Sequence, residues 1–408
     1  MLATLKNSNF RTYMAGQSLS LIGTFMQITA LSWLVWQISH NEAMVGLSNA
    51  LGFAPTFFLV PFTGALADRW DRRKILLGTQ FVAGILAAIL AVYALSGATS
   101  VYPVLGIALL LGIVGALDFP SQGAFIGDLS GMSQIRQAVG LNATMFQLGR
   151  SIGPALAGIV VATWGSAPAF AINAISFGAV IISLLLVRAN QVKKPNTGSP
   201  LGEFAQALRW LRTQPRLMEL LLGSTLVTLF VFSTISLFAP LADVVLNGDA
   251  RVFGWLSSAS GIGALTGALL LSPRMANVNR VGRAVALGVA WSGSWLIAMR
   301  FGTSLPWALL CVFMVSLTLP VVLAGTNGLL QFMAPPDMRA RVLSVSQMAI
   351  FGAQPIGVLF VGLLARNFGV LNAMLINGIC LVLGISILVL TRPLLISWKV
   401  SRAMPLTA

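Results

Sequence analysis

The chain has 408 residues, of which 57% are hydrophobic and only 9% are charged. A soluble domain carries about a quarter charged residues, so this composition excludes a fully water-exposed globular protein and indicates one embedded in lipid. The net charge of +15 lies in short loops between apolar segments, which favours a role in membrane orientation over nucleic-acid binding.

Predominantly apolar segments of about twenty residues or more predict transmembrane helices along the whole chain. The first two cover residues 12–39 and 43–67. Residues 75–117 are too long for one helix, and the stretch 97–103 divides them into the third and fourth. Residues 137–187 hold the fifth and sixth, divided at 164–168. The other six cover 217–245, 252–271, 281–299, 305–330, 342–365 and 371–390. The N-terminus carries no cleavable signal pattern.

The longest polar stretch lies midway along the chain and predicts two six-helix halves. It runs from 188 to 216 and contains Lys-Lys-Pro-Asn-Thr-Gly-Ser-Pro at 193–200, a composition typical of a linker. The predicted units are a six-helix bundle at 1–187, a cytoplasmic linker at 188–216, a second bundle at 217–391 and a cytoplasmic tail at 392–408. A faint repeat, Gly165 with Asn173 and Gly369 with Asn377, indicates duplication.

Positive charge is concentrated in alternate loops. One set contains the basic residues of 69–74, of the linker and of both termini, whereas the other set contains only Arg251, Arg300 and Arg366. By the positive-inside rule, both termini and the linker are cytoplasmic, which requires an even number of spans. Twelve spans satisfy this requirement.

A short charged segment joins the second and third helices, with Gly-Ala-Leu-Ala-Asp-Arg-Trp-Asp-Arg-Arg-Lys at 64–74. A glycine lets a neighbouring helix approach, an aspartate can cap a facing helix, and arginines can pair with nearby acids. The alternative is a plain orientation loop. The residues expected to act together are Gly64, Asp68, Arg69, Arg72 and Arg73, with Asp118 and Asp128 as possible ion-pair partners.

The fifth helix contains Gly-Arg-Ser-Ile-Gly-Pro at 149–154. Gly149 and Gly153 share one helix face, so another helix can pack against bare backbone there. Pro154 is expected to bend the helix. The alternative is generic packing of small residues.

These motifs, together with Asn-Phe-Arg at 9–11 and Ala-Gly-Gln at 15–17, resemble a bacterial exporter subgroup of the major facilitator superfamily. That subgroup includes enterobactin-type siderophore exporters and macrolide efflux pumps. Asp71 stands where many members have glycine. The resemblance implies an all-α fold of two six-helix bundles in the bacterial inner membrane. It further implies a monomer without a cofactor that exports a small organic molecule by alternating access, with H⁺ as the coupling ion.

Polar residues at helical spacing are candidates for the transport pathway. The first helix carries a polar stripe, and in this superfamily the first, fourth, seventh and tenth helices line the pathway. The alternative for each residue is a hydrogen bond between helices. The candidate substrate-binding residues are Arg150, Gln17, Thr24, Gln27, Thr228, Asn327 and Gln354.

Arg150 is the one charge predicted deep within a span, and a central arginine costs about 2.5 to 3.5 kcal/mol on insertion scales. It either binds an anionic or electron-rich substrate, such as a catecholate, or bonds to carbonyls freed at the Gly153–Pro154 bend. Asp118, Glu219 and Asp243 are expected at helix ends. Trp33 and Trp36 are expected to be anchors at the membrane interface.

Other functions of the same fold stay open, namely an uptake permease or a lipid flippase. An intramembrane enzyme is disfavoured, because the only histidine, His40, lies in an outer loop and no P-loop motif is present. Cys311 and Cys380 lie in apolar segments and indicate neither a disulfide nor a metal site.

Overall fold

The computed structural model describes residues 4–130, 134–187, 200–271, 281–335 and 338–391. Nearly all of these residues are helical. The first six long helices are α1 (Ser8–Ser39), α2 (Glu42–Arg69), α3 (Arg72–Leu95), α4 (Tyr102–Ser130), α5 (Ile135–Trp164) and α6 (Ser166–Leu186). The later helices are α7 (Pro200–Arg212), α8 (Pro215–Val245), α9 (Ala250–Leu271), α10 (Val281–Phe301), α11 (Leu305–Leu317), α12 (Leu319–Met333), α13 (Arg339–Phe368) and α14 (Val370–Thr391).

Eleven spans in the described part of the chain are long and apolar enough to cross a bilayer, with α11 and α12 counted as one. α2, which is not among the eleven, is also 28 residues long and packs against α4 and α13. The outer faces carry large apolar side chains, such as Ile175 at 76% exposure, which lipid rather than water must cover. The prediction of an all-α membrane protein is confirmed.

α4 is longer than its apolar segment predicts. The uncharged segment ends at Leu117, whereas the helix continues through Pro120 to Ser130. Proline cannot donate a hydrogen bond to the carbonyl four residues earlier, which here belongs to Ala116. The hydroxyl of Thr63 on α2 donates to that carbonyl at 2.7 Å, so the helix continues. Asp118 therefore lies inside the span, not at its end.

The last span of each half is tied to the first by an asparagine. Asn173 on α6 donates to Oε1 of Gln27 on α1 at 2.8 Å. Asn377 on α14 donates to the carbonyl of Phe230 on α8 at 3.1 Å. The glycines that precede these helices, Gly165 and Gly369, both have φ of +83°, a left-handed conformation that favours glycine. The weak repeat in the sequence thus corresponds to equivalent structural positions in two six-helix bundles.

The two bundles meet where α2 packs along α13 and α5 packs along α9. A Cβ on Gly46 would lie 2.8 Å from the carbonyl oxygen of Val358, and Gly158 meets Gly254 backbone to backbone. These close crossings lie near the start of α2 and the end of α5, away from the 69–74 loop. We call the end with that loop the basic end and the other the far end.

Candidate functional site

A cavity of about 340 Å³ lies between the two bundles, at the level of the middle of α5. Seven helices contribute to its wall, three from the first half and four from the second. The lining residues are Phe25, Ile28, Thr29, Ser32, Asn49, Phe53, Phe146, Arg150, Pro154, Thr228, Phe232, Ile235, Ser236, Phe238, Phe253, Ser257, Ser260, Gly261, Leu323, Asn327, Gln347, Ile350, Gln354 and Val358.

The cavity wall combines aromatic rings with neutral polar groups and a single charge. Six of the lining residues are phenylalanines, which offer flat apolar surfaces and π faces. The hydroxyl and amide side chains supply hydrogen-bond donors and acceptors. Among the described residues that line the cavity, Arg150 is the only charged one and no carboxylate is present. The electrostatic character of the wall is therefore positive.

Arg150 reaches the cavity from the middle of α5, with fifteen residues of the helix before it and fourteen after it. Its guanidinium carbon lies 4.3 Å from the ring centroid of Phe232 on α8, within range of a cation–π interaction. Within the described ranges, no hydrogen bond or ion pair engages this guanidinium. Its N–H donors therefore remain available to a ligand.

Phe232 ends a π-helical turn, Thr228–Phe232, within α8. Such turns are rare and occur frequently at functional sites. Thr228 and Phe232, at the two ends of this turn, and Ser236, one turn later, all line the cavity. The irregular helix thus presents a hydroxyl, a ring and a second hydroxyl to the same space.

Four of the seven candidate substrate-binding residues line the cavity, and the three on α1 do not. The four are Arg150, Thr228, Asn327 and Gln354; the three are Gln17, Thr24 and Gln27. Gln27, at one position of the polar stripe, instead faces α6. The side chain of Gln27 accepts the hydrogen bond from Asn173, and Gly23 abuts Asn173 and Ser176. Gln27 therefore takes part in helix packing, whereas a role for Gln17 and Thr24 in substrate binding stays a prediction.

Parts of the wall were not foreseen from the sequence. Asn49 and Phe53 on α2 and Ser257 and Ser260 on α9 line the cavity. The two serines lie three residues apart, so they share a helix face, and this spacing was the available signal. For α2 the sequence offers no comparable pattern.

The glycine motif of α5 packs against α1 in its own half. A Cβ on Gly153 would lie 2.7 Å from Cβ of Phe25, and one on Gly149 would lie 3.1 Å from Leu21. Pro154 lines the cavity. The hydroxyl of Ser151 donates to the carbonyl of Gly261 on α9 at 3.0 Å. α5 therefore links the two bundles beside the cavity.

The loop motif at the basic end is described in part. The side chains of Gly64, Asp68 and Arg69 lie outside the described residues. Arg72 forms an ion pair with Asp128 at the end of α4, with Nη1 2.8 Å from Oδ1. Arg73 donates to the carbonyls of Leu184 and Leu185 at the end of α6. These contacts hold the start of α3 against the ends of α4 and α6 at the basic end.

Asp71, the departure from the family pattern, has a local structural role. Its side chain accepts hydrogen bonds from the backbone N–H groups of Arg73 and Lys74, at 3.0 and 3.3 Å. Asp71 is therefore the N-cap of α3. An aspartate is among the residues most favoured at this position.

Asp118 forms no ion pair with Arg72 or Arg73, the two motif arginines whose side chains the structure describes. Its Oδ1 accepts hydrogen bonds from the hydroxyl of Thr79 at 2.6 Å and from Nε2 of Gln80 at 2.9 Å, both on α3. Of the two possible partners, Asp128 forms the ion pair with Arg72, because the helix continues past Asp118 and carries Asp128 to the basic end.

Trp33 and Trp36 lie between helices, not at the lipid interface. Trp33 stacks on Phe253 of α9, with ring centroids 5.4 Å apart. Trp36 is only 2% exposed, and its Nε1 donates to Oδ2 of Asp243 on α8 at 2.8 Å. The prediction of interfacial anchors is therefore corrected, because both side chains pack across the boundary between the halves.

Comparison with known proteins agrees with the fold. The family model described as transmembrane secretion effector matches residues 1–404. The chain belongs to this transmembrane secretion effector family. Membership confirms the predicted resemblance to the major facilitator exporters and shows that the protein is a membrane transporter and not an enzyme.

Relatives of this transmembrane secretion effector share about a quarter of its residues over the matched lengths. The staphyloferrin A transporter of Staphylococcus aureus is 24% identical over 368 residues, covering 90% of this chain and 92% of that protein. Macrolide efflux protein A of Streptococcus pyogenes is 24% identical over 383 residues, with the same coverage. The enterobactin exporter of Citrobacter koseri is 26% identical over 335 residues, covering 82% and 79%.

Among solved structures, a bacterial homolog of the human lysosomal transporter Spinster, in an inward-facing and unoccupied conformation, superposes with a TM-score of 0.75. It is 16% identical, and the match covers 97% of this secretion effector and 98% of that chain. This likeness shows the shared fold.

Proposed function

We propose that this protein exports small organic anions with aromatic character from the bacterial cytoplasm. The observation that carries the proposal is Arg150, a cation in the cavity with unused hydrogen-bond donors. A guanidinium recognises carboxylate and related anions through its fork of N–H groups. The phenylalanines around it favour a ligand with flat apolar parts. Siderophore- or antibiotic-like molecules with acidic aromatic groups fit this description.

The proposed route is alternating access, with the cavity open in turn to each side of the membrane. The close crossings Gly46–Val358 and Gly158–Gly254 hold the halves together at the far end. The basic loops favour a cytoplasmic position for the other end, with both termini inside. The state described here would then be closed toward the outside. This arrangement supports loading of the cavity from the cytoplasm.

The expected coupling ion is H⁺, and the expected working unit is a monomer in the inner membrane. The cavity is lined by helices from both halves of the same chain, an arrangement that fits transport by a single copy. The names of the relatives, which include macrolide efflux and an enterobactin exporter, support export over uptake. The proposed division at residues 188–216 leaves each half with six spans.

Everted membrane vesicles from cells with and without the protein test both direction and substrate class. The probes are 2,3-dihydroxybenzoate, an aromatic anion, and erythromycin, a macrolide whose amine is protonated at neutral pH. We expect energised everted vesicles to accumulate the anion when the protein is present and to accumulate erythromycin less.

Two results would overturn the proposal. Accumulation of the anion by right-side-out vesicles alone would indicate uptake. Preference for erythromycin over the anion would remove the proposed role of the positive charge. A collapsed pH gradient serves as the control for energy-dependent transport.

A further inference from the structure

Asp118 is a carboxylic acid in the middle of a transmembrane helix. Sixteen residues of α4 precede it and twelve come after it, so it lies roughly 18 Å from the basic end of that helix. It is half-buried and does not line the central cavity. Ionisable groups at such depth are costly in a membrane and usually serve a function.

The hydrogen bonds of this carboxyl leave one oxygen unused. Thr79 and Gln80 both donate to Oδ1. Within the described residues, Oδ2 accepts no hydrogen bond and no cation pairs with Asp118. The carboxyl is thus oriented by α3 while its second oxygen remains open to water or a proton.

Three charged groups on neighbouring helices, among those that the structure describes, have other partners. On α3, Arg72 is paired with Asp128 and Arg73 bonds to the end of α6. On α5, Arg150 lies against Phe232. α1 presents Tyr13, which is 1% exposed, as its titratable group near Asp118. On α2, Asp68 and Arg69 have side chains outside the described residues, as has Arg136 on α5.

We propose that Asp118 is the proton-binding site that couples export to the proton gradient, with Thr79 and Gln80 as its positioning residues. This inference rests on the proposed transport function. In the outward-open state the carboxylate takes up a proton on Oδ2, forming an O–H bond, and becomes neutral. In the inward-open state it releases the proton to the cytoplasm. Removing the charge of an unpaired carboxylate removes its desolvation cost, which links protonation to a change between states.

The chemistry fits antiport of an anion. One proton moves inward while one organic anion moves outward, and both movements are equivalent to positive charge moving inward. The membrane potential, negative inside, favours each of them. A separate site for the proton, apart from Arg150, lets the two ligands bind in turn without competing for one side chain.

The test uses the full chain in proteoliposomes, with 2,3-dihydroxybenzoate as the probe. Counterflow of the probe without a gradient reports the binding and movement of the substrate. Accumulation driven by a pH gradient, and probe-driven proton flux measured with an internal pH dye, report coupling. We expect Asp118→Asn to keep counterflow and to lose both coupled readouts by roughly tenfold or more. Asp118→Glu, which retains an acid, should keep coupling in part.

Asp249→Asn is the matched control, because it removes an exposed acid while asparagine remains a good N-cap for α9.

Asp118→Asn with wild-type coupling would overturn the inference and leave the transport function standing. Loss of counterflow in both Asp118 variants would mark a structural role and also overturn it. If Asp118→Asn does not insert into the membrane, the pH midpoint of transport is measured in Thr79→Val instead. A midpoint shifted from the wild-type value supports the inference, and an unchanged midpoint overturns it. Wild-type protein that moves no probe would instead contradict the proposed function.

Discussion

The indole of Trp36 and the carboxylate of Asp243 form a hydrogen bond between the two bundles, with 2.8 Å between Nε1 and Oδ2. Trp33, one turn earlier on α1, stacks on Phe253, which also lines the cavity. These side chains lie between the cavity and the far end. The bond must break if the bundles separate there.

Trp36→Phe removes the donor but keeps an aromatic ring, so it tests this contact. A hydrogen bond to a charged group contributes about 1.5 to 3 kcal/mol, and its loss should raise the population that is open at the far end by roughly tenfold or more. The measurement is labelling of Ser257→Cys by an impermeant maleimide from outside cells, in a background of Cys311→Ala and Cys380→Ala. Asp243→Asn retains a neutral acceptor and should show a smaller increase. Equal labelling of all variants would contradict a role for this bond.

Arg150→Gln should abolish transport of 2,3-dihydroxybenzoate while the protein still reaches the membrane. Arg150→Lys should keep partial activity, because the charge survives while the guanidinium fork is lost. The exposed Arg283 offers a control, since Arg283→Gln removes equal charge away from the cavity. Normal transport by Arg150→Gln, or its failure to accumulate in the membrane, would reject substrate binding by this side chain.

Gly158→Val should prevent closure at the far end, because its side chain would collide with the backbone of Gly254. Overpacking of this kind costs about 1 to 3 kcal/mol. We expect stronger external labelling at Ser257→Cys and slower transport. Gly115→Val is the control, since a Cβ at Gly115 meets no neighbour within 4 Å. The same defect in both variants would point to a general effect of valine.

Arg72→Gln and Asp128→Asn should each lower the thermal unfolding midpoint in detergent. Both side chains are 9% exposed, and removal of one partner of a buried ion pair costs about 3 to 5 kcal/mol. The double variant should lose less than the sum of the two single variants, since neither charge is then left alone. Lys74→Gln, an exposed neighbour, is the control. Additive losses would show that the pair does not act as a unit.

Single cysteines at Ser199 and Asn247, in the same background without native cysteines, test the orientation of the chain. Ser199 belongs to the predicted linker and lies outside the described residues, and Asn247 comes after α8 at the far end. An impermeant reagent added to intact cells should label Asn247→Cys alone. Labelling of both would contradict the proposed orientation.

The positions of the helices were predictable because lipid imposes a simple requirement on length and polarity. The apolar segment 217–245, for example, corresponds to α8, Pro215–Val245. α4 was one exception. Pro120 and Asp118 indicate a helix end, and only the hydroxyl of Thr63, far away in the sequence, satisfies the carbonyl that proline leaves free.

The cavity was predictable in part. Arg150 stood out because a central charge in a span is rare. The polar stripe of α1 was ambiguous, since a hydroxyl or amide on a helix face bonds equally well to another helix or to a ligand. Which of the two partners a side chain binds depends on the helix that packs beside it. Here α6 packs against Gly16 and Gly23, and the local sequence of α1 does not predict that contact.

α1 and α8 begin the two bundles but differ in regularity. α1 is one unbroken helix of 32 residues, whereas α8 contains two π-helical turns, Thr228–Phe232 and Leu241–Val245. Each residue inserted into or removed from a helix rotates the remainder of that helix by about 100°. A one-residue change at the first turn would therefore replace the ring and hydroxyls that face the cavity, while Arg150 keeps its place on α5. A change of register in this single helix would thus alter the side chains that face the cavity without moving Arg150.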